Sequence, residues 1–427
     1  MIYLTYAAIF GLFGVSMFWL RLVTVVVVLT TAVAIYEVGK LIFGEKRALW
    51  ATLIFGFLTS LRLIEGNLAL TEIWMILPTS FAFFLVILRK FDYLSLFAAD
   101  ILIAFASLYK QVGVLEAVAL GIFLFLSSRS LVDFVKGGAL LTLGFTIPYA
   151  ITVFYFAPKN LLGEYIFAAY TYYRIYLGES PKYALLINIL KFLPLIAAVG
   201  YGIFKKARGQ VNLFHLTLLW TASSFLGSYF SGRTYGHYLV QATPAISLLL
   251  ASIDLKPRLT VAQSVFALAF FIPLIFLTKL LFTDFLSGGP INQVKYWQNF
   301  IEFAARKKGV NDYNDYFDGN VNSIAGLADF LRERGAVGQA VYIWGDYPWL
   351  YAIADSRNPV RYVTSFHVFG VPEGKKEVIE ALGKTPPRYI ILPPTSIGYF
   401  AELEKLLEEK YTLVTQVENS KIWQLGK

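Results

Sequence analysis

Apolar runs of about twenty residues recur through the first two thirds of the chain, separated by short polar turns. Twenty helical residues rise about 30 Å, the thickness of a bilayer's hydrocarbon core. Ten spans are expected, at about 22–43, 50–68, 72–88, 94–109, 111–127, 132–156, 183–204, 212–230, 236–252 and 259–282. Residues 2–19 (IYLTYAAIFGLFGVSMFW) form an eleventh apolar segment, which crosses the membrane or lies on it. The pattern changes near residue 285. GLADFLRERG (326–335) has the spacing of an amphipathic helix with a glycine stop, and FAELEKLLEEKY (400–411) that of a charged one. AVYIWG (340–345), PRYIILP (387–393) and KIWQL (421–425) read as strands. The expected fold is therefore a polytopic α-helical membrane domain over 1–284, followed by a small α/β domain over 285–427.

Composition agrees with this division. Of 427 residues, 57% are hydrophobic and only 15% charged, against about 25% charged in soluble proteins. There is no cysteine, so thiolate metal sites and disulfides are excluded. The net charge of +9 is unevenly placed: 21 basic and 12 acidic residues precede residue 285, and 16 of each follow. The excess lies in the membrane part, where it reports topology and anion binding and gives no reason to invoke nucleic acid.

Five turns, GEKR (44–47), RKFD (89–92), SSRSLVDFVK (127–136), KKARGQ (205–210) and DLKPR (254–258), hold 12 basic residues together with Lys40. The positive-inside rule makes that side cytoplasmic. Alternation then puts the C-terminal domain outside the cell membrane. The opposite connections hold seven basic residues: Arg21, Arg62, Lys110, Lys159, Arg174, Lys182 and Arg233.

Several of these sit where chemistry is expected. Lys110 lies in a hairpin (SLYKQVGV) too short to rise far above the membrane, where a lysine needs a partner such as a lipid phosphate. The connection RLIEGNLALTE (62–72) carries Arg62, Glu65 and Glu72. Thr71 and Glu72 have the chemistry to open a helix. Alternatively, Glu72 faces a polar cavity and binds a hydroxyl, a proton or a cation. Arg233, His237 and Tyr238 sit within six residues at the mouth of a late span, either as an interfacial belt or as part of a site. Asp100 and Glu116 lie inside spans, as relay acids or as hydrogen-bonded buried ones. The loop 157–183, with Tyr165, Tyr170, Tyr172, Tyr173 and Tyr176, suits an interfacial helix or a sugar- or lipid-lining groove. DYNDYFDGNV (312–321) lacks calcium-loop spacing and reads as a turn before a helix. The three scattered histidines have no metal-binding spacing.

The order of these pieces resembles the GT-C membrane glycosyltransferases, in particular the dolichyl-phosphate-mannose-protein mannosyltransferase-like group that includes lipid A aminoarabinose transferases. YEVGKLIFGEKRALWATLIFGF (36–57) is similar to the family's second span, basic turn and third span. EGNLALTEIWMILPTSFAFFL, ASLYKQVGVL, GRTYGHYLVQATPAISLLLA and the stretch 341–367 are similar to its acidic outer connection, lysine hairpin, His-Tyr segment and outer tail domain. The resemblance implies transfer of a sugar from a polyprenyl-phosphate carrier to a lipid, glycan or protein acceptor on the outer face of the membrane. It implies that Lys110 and Arg233 hold the lipid-linked phosphate, with Arg62, His237 and Tyr238 around the same pocket. Glu72 would contact the sugar, the acceptor or a cation. No cofactor is implied with certainty, and a divalent cation stays open.

One departure stands out. The family's first outer loop carries an acid taken as the catalytic base, whereas here no Asp or Glu precedes Glu37. The start of the sequence resembles the end of that loop, so the first span and its acid are expected to be missing. The expectation is then that the assigned start lies too late, or that the sequence is a fragment, or that the chain as written does not catalyse the transfer, with Glu65 and Glu72 as the candidates for a substitute base. The competing readings are a lipid or solute transporter or flippase, which would more often show paired inverted halves, and a non-catalytic membrane protein of the same fold.

Overall fold

The computed structural model describes residues 1–173, 184–233, 235–253, 260–283, 289–395 and 398–426. Arg174, Tyr176, Lys182 and the basic turn at 254–258 lie outside them. The chain forms two compact units, one of residues Met1–Tyr165 and Glu179–Gln293, the other of Ile166–Gly178 and Val294–Lys427.

The first unit is helical. Its helices are α1 (Ile2–Phe13), α2 (Met17–Phe43), α3 (Glu45–Ser60), α4 (Thr71–Leu88), α5 (Tyr93–Tyr109), α6 (Val114–Ser127), α7 (Leu131–Phe156), α8 (Leu162–Ile166), α9 (Ala184–Leu190), α10 (Leu193–Lys206), α11 (Leu213–Ser228), α12 (Thr243–Ser252) and α13 (Val261–Thr283). The polar turns start and stop them. Ser16, Asp92 and Ser130 cap α2, α5 and α7 through side-chain oxygens, and Asn212 forms a capping box with His215 at α11. Gly14 and Gly44 end α1 and α2 with φ of 82° and 87°, where only glycine is unstrained.

Among the described residues, five helices are long and apolar enough to cross a membrane. The other expected spans are shorter helices, two of which, α6 and α12, are led into by 3₁₀ turns at Gln111–Gly113 and Gly236–Ala242. The run expected at 50–68 ends at Ser60. A turn at Arg62–Ile64 and a left-handed Glu65 (φ 54°) then bring the chain back to α4. Gly66 lies against the Thr59 carbonyl there, leaving no room for a side chain.

The unit has a large apolar core that also takes in many hydroxyl-bearing side chains, and its exterior is apolar as well. Every residue of α11 from His215 to Ser228 is buried, including Thr217, Thr221, Ser223, Ser224 and Ser228. Thr221 and Ser228 return their hydroxyls to carbonyls four residues back, at 2.8 and 3.0 Å, so these hydroxyls are satisfied inside the helix. Phe83 of α4 stacks on Trp220 of α11, with ring centroids 3.9 Å apart. Leucine, valine and phenylalanine side chains of α2, α7 and α13 project outward instead, as lipid-facing helices require.

Helix α14 (Gly289–Ala304) passes from the first unit into the second at Val294, and the second continues with α15 (Val310–Asp315), α16 (Asn320–Glu333), α17 (Pro348–Ile353), α18 (Ser365–Phe369), α19 (Gly374–Lys384) and α20 (Ala401–Lys410). Its sheet is built from β1 (Val341–Ile343), β2 (Tyr389–Leu392), β3 (Tyr411–Val417) and β4 (Ser420–Leu425), in the order β1-β2-β4-β3. β1 and β2 are parallel, with Tyr342 opposite Ile390, and the other pairs are antiparallel. Alternate residues feed two cores. Val341, Ile343, Tyr389 and Ile391 pack with Leu327, Leu331 and Leu350. Tyr342, Trp344 and Ile390 pack with Val378, Leu382, Leu403 and Leu407.

The sequence reading places three strands and omits β3, an edge strand whose middle is largely exposed. Residues 312–321 fall on the end of α15 and the turn before α16. In the loop from 157, a 3₁₀ turn at Ala157–Lys159 is followed by continuous helical backbone over 162–173, in which α8 passes directly into a π turn at Phe167–Thr171, and Tyr172 packs against the His367 ring.

Close helix approach in the first unit yields a test. A methyl at Gly144 of α7 would collide with the Phe97 carbonyl of α5, whereas one at Gly121 of α6 meets nothing within 4 Å. Gly144→Ala is expected to destabilise by about 1–3 kcal/mol and Gly121→Ala to leave the unfolding midpoint unchanged or raised, measured by thermal unfolding in detergent.

Candidate functional site

Five separate stretches meet at one end of the helical unit: α1, the connection 61–72, the α5–α6 hairpin, the α11 C-terminus and the 3₁₀ turn Gly236–Ala242. Tyr6 of α1 donates its hydroxyl to the Ala69 carbonyl, and Thr5 shares a 2.8 Å hydrogen bond with Tyr109. Arg21 donates to the Asn67 carbonyl at 2.5 Å. Gly236 is pressed against the Leu63 carbonyl, so the 62–64 and 236–242 turns touch through backbone.

At the centre, Lys110 forms an ion pair with Glu72. Glu72 is 2% exposed, and its second oxygen accepts from the Thr71 hydroxyl at 2.8 Å. The Lys110 ammonium also sits 3.5 Å from the centroid of the Tyr238 ring. An ammonium over an aromatic face is held electrostatically, and more strongly where water is scarce. Beside this pair, His237 Nδ1 lies 2.7 Å from Glu65 Oε2. The His237 ring stacks on Tyr235 at 5.5 Å and meets Tyr238 edge-on at 4.9 Å. Arg233 donates to the Tyr235 hydroxyl at 3.3 Å.

The structure thus gathers Glu65, Glu72, Lys110, His237 and Tyr238 into one cluster, with Arg233 joined through Tyr235. Arg62 is at the edge: its main-chain N–H donates to Gln293 Oε1 at 2.8 Å and its residue is exposed. Thr71 does not cap α4, because the cap position is Leu70 and the Thr71 hydroxyl serves Glu72. Among the described residues, no group of three or more histidines and carboxylates is gathered to hold a metal ion.

Glu116, with two partners that the sequence did not single out, Ser224 and Gln241, supports the cluster. Glu116, six positions after Lys110 on α6, is 1% exposed. The Ser224 hydroxyl of α11 contacts both its oxygens, at 2.9 and 3.1 Å. Gln241 Nε2, in the turn that carries His237 and Tyr238, donates to Glu116 Oε1 at 3.1 Å and is 3.4 Å from the Val112 carbonyl. Glu116 is therefore a hydrogen-bonded buried acid. It ties the helix following Lys110 to the segment that supplies Lys110 with its aromatic seat. Gly227 makes room for the tie, since a Cβ there would meet Gln241 Nε2 at 2.5 Å. Lys191, in the break between α9 and α10, is also buried at 6% exposure and donates to the Phe230 carbonyl at 3.1 Å. A lysine inside an apolar run was the available signal for it.

Glu116→Leu strands the Ser224 and Gln241 donors, each costing about 1–3 kcal/mol when buried unpaired. Glu116→Gln keeps an acceptor for both. A clearly lower unfolding temperature for the leucine variant than for the glutamine variant, in detergent, is the expected result.

No family model matches the sequence, and no curated protein matches it. The crystal structure of ArnT from Cupriavidus metallidurans bound to undecaprenyl phosphate is similar in fold, with a TM-score of 0.57 and 15% identity. The match covers 97% of this chain and 85% of that one. At that identity the likeness speaks to architecture: the chain has a GT-C-like polytopic membrane fold with a small C-terminal α/β region.

Proposed function

We propose that the chain is a membrane glycosyltransferase that moves a sugar from a polyprenyl-phosphate carrier to an acceptor hydroxyl. The observation that carries this reading is the Lys110–Glu72 pair seated on Tyr238, at one end of a GT-C-like bundle. The similar fold of a protein solved with undecaprenyl phosphate supports a carrier of that class.

The chemistry follows from the groups present. The acceptor oxygen attacks the anomeric carbon, the bond from that carbon to the phosphate oxygen breaks, and the phosphate leaves with the electron pair. Negative charge grows on the phosphate as the bond breaks. A cation already fixed in place stabilises that charge more in the transition state than before it. Lys110 has this role, with Arg233 and Arg62 as further phosphate contacts. The proton of the acceptor hydroxyl goes to His237, whose other ring nitrogen is oriented by Glu65, the arrangement of an imidazole base steadied by a carboxylate. Glu72 holds Lys110 in position and then faces the sugar or acceptor when the ammonium turns to the phosphate. In this reading the outer face of the plasma membrane is the working side and the second unit is extracytoplasmic.

The probe is undecaprenyl phosphate, with binding to the purified full chain measured by native mass spectrometry. Wild type is expected to bind saturably and Lys110→Met to lose about ten- to a hundredfold, the worth of one or two charged hydrogen bonds. Removing Lys110 alone leaves Glu72 buried and unpaired, which itself destabilises. The double variant Lys110→Met, Glu72→Gln avoids that cost and must also bind weakly. Full binding by the folded double variant removes Lys110 from the site, and absence of binding by wild type overturns the carrier assignment. His237→Gln is expected to keep binding and lose transfer, measured with radiolabelled lipid-linked sugar in membrane vesicles.

A further inference from the structure

Helix α14 has three distinct sides, and only one is covered by its own unit. Tyr296, Asn299 and Phe303 fall on one face. Tyr296 meets Phe317 at 6.0 Å, Phe303 stacks on Tyr313 at 4.4 Å, and Asn299 donates to the Tyr313 carbonyl at 3.2 Å. Lys295, Gln298 and Glu302 form a polar side, where Gln298 donates to Glu302 at 2.8 Å. The third side carries Val294, Trp297, Phe300 and Ile301, which are 57%, 45%, 57% and 62% exposed. At 100° per residue these four, with Ala304, cover an arc of roughly 120°. Four large apolar side chains bare on one helix face are a binding surface, not scatter.

The chain itself says what covers that face. α13 is a span of 23 residues, and α14 begins six residues after it ends. Six peptide steps reach at most about 20 Å, so α14 starts close to the membrane surface. A tryptophan at the centre of the bare arc suits the boundary between headgroups and acyl chains. Exposed Lys295 beside the arc, and exposed Arg306 and Lys307 just past the helix, suit anionic headgroups. The combination of a bare apolar stripe, a polar flank and nearby basic residues matches helices that lie in the interfacial plane.

We infer that α14 is a membrane-surface helix, docking its Val294, Trp297 and Ile301 face into the lipid interface. The occupant is the bilayer. This inference does not depend on any transferase activity.

The absence of cysteine from all 427 residues makes the test direct. Single variants Val294→Cys, Lys295→Cys, Trp297→Cys, Gln298→Cys and Ile301→Cys of the full chain are spin-labelled. They are then reconstituted in vesicles of phosphatidylethanolamine and phosphatidylglycerol. Collision with oxygen, which partitions into lipid, is compared with collision with a water-soluble nickel complex. The oxygen-to-nickel ratio is expected to peak at 294, 297 and 301 and to fall at 295 and 298, tracing one helical face. Nickel access at all five positions overturns the inference, because the face is then in water. Protection from both reagents at 294, 297 and 301 also overturns it, because protein then covers the face. All five positions are exposed, so the variants keep the packed side intact.

Discussion

A single ammonium group at the edge of an apolar bundle governs how the site is built. Lys110 has no helix to snorkel along, because it sits in a hairpin of a few residues. A charge so placed must be matched by something equally fixed. Glu72 supplies the opposite charge from α4, and Tyr238 supplies an aromatic face from the turn before α12. Each partner comes from a different part of the chain, so meeting this one electrostatic demand brings three connections together. The neighbouring Glu65–His237 contact falls into place because the 62–64 and 236–242 turns already touch through Gly236.

Beneath that layer the unit departs from a soluble protein in being apolar on both its inside and its outside. Among the buried leucines, isoleucines and phenylalanines sit hydroxyls, an amide and a carboxyl, while further leucine, valine and phenylalanine side chains face out. The Glu116–Ser224–Gln241 set belongs to this interior. A carboxyl enclosed there, with neutral donors as its described partners, has little freedom to move without breaking several contacts at once. Rigidity of this kind is useful below a site that must hold a cation and an aromatic ring within a few ångströms of each other.

The sequence disclosed the helical class, most turns and the residues of the cluster, because apolar run length and charge position are local signals. Lys110 and Glu72 stood out since charges are rare beside apolar runs. What was hidden depended on partners. Glu116 stayed open between a relay acid and a hydrogen-bonded one because Ser224 and Gln241 lie more than a hundred positions away. Thr71 looked like a helix cap because its neighbour's ion pair was invisible. Lys191 was absorbed into an apolar run, and β3 was missed because an exposed edge strand follows a charged helix without a break. The Gly66 and Gly236 contacts, which set two turns against backbone carbonyls, leave no trace in spacing at all.

The composition of α11 bears on how such a chain is made. Its serines, threonines and histidine alternate with leucine and phenylalanine, and its buried position shows that protein, not lipid, surrounds it. Its residence in the membrane rests on α4, α6 and the turn before α12, part of which is synthesised after it. The surroundings that α11 has in the folded unit are therefore complete only once those later segments are present.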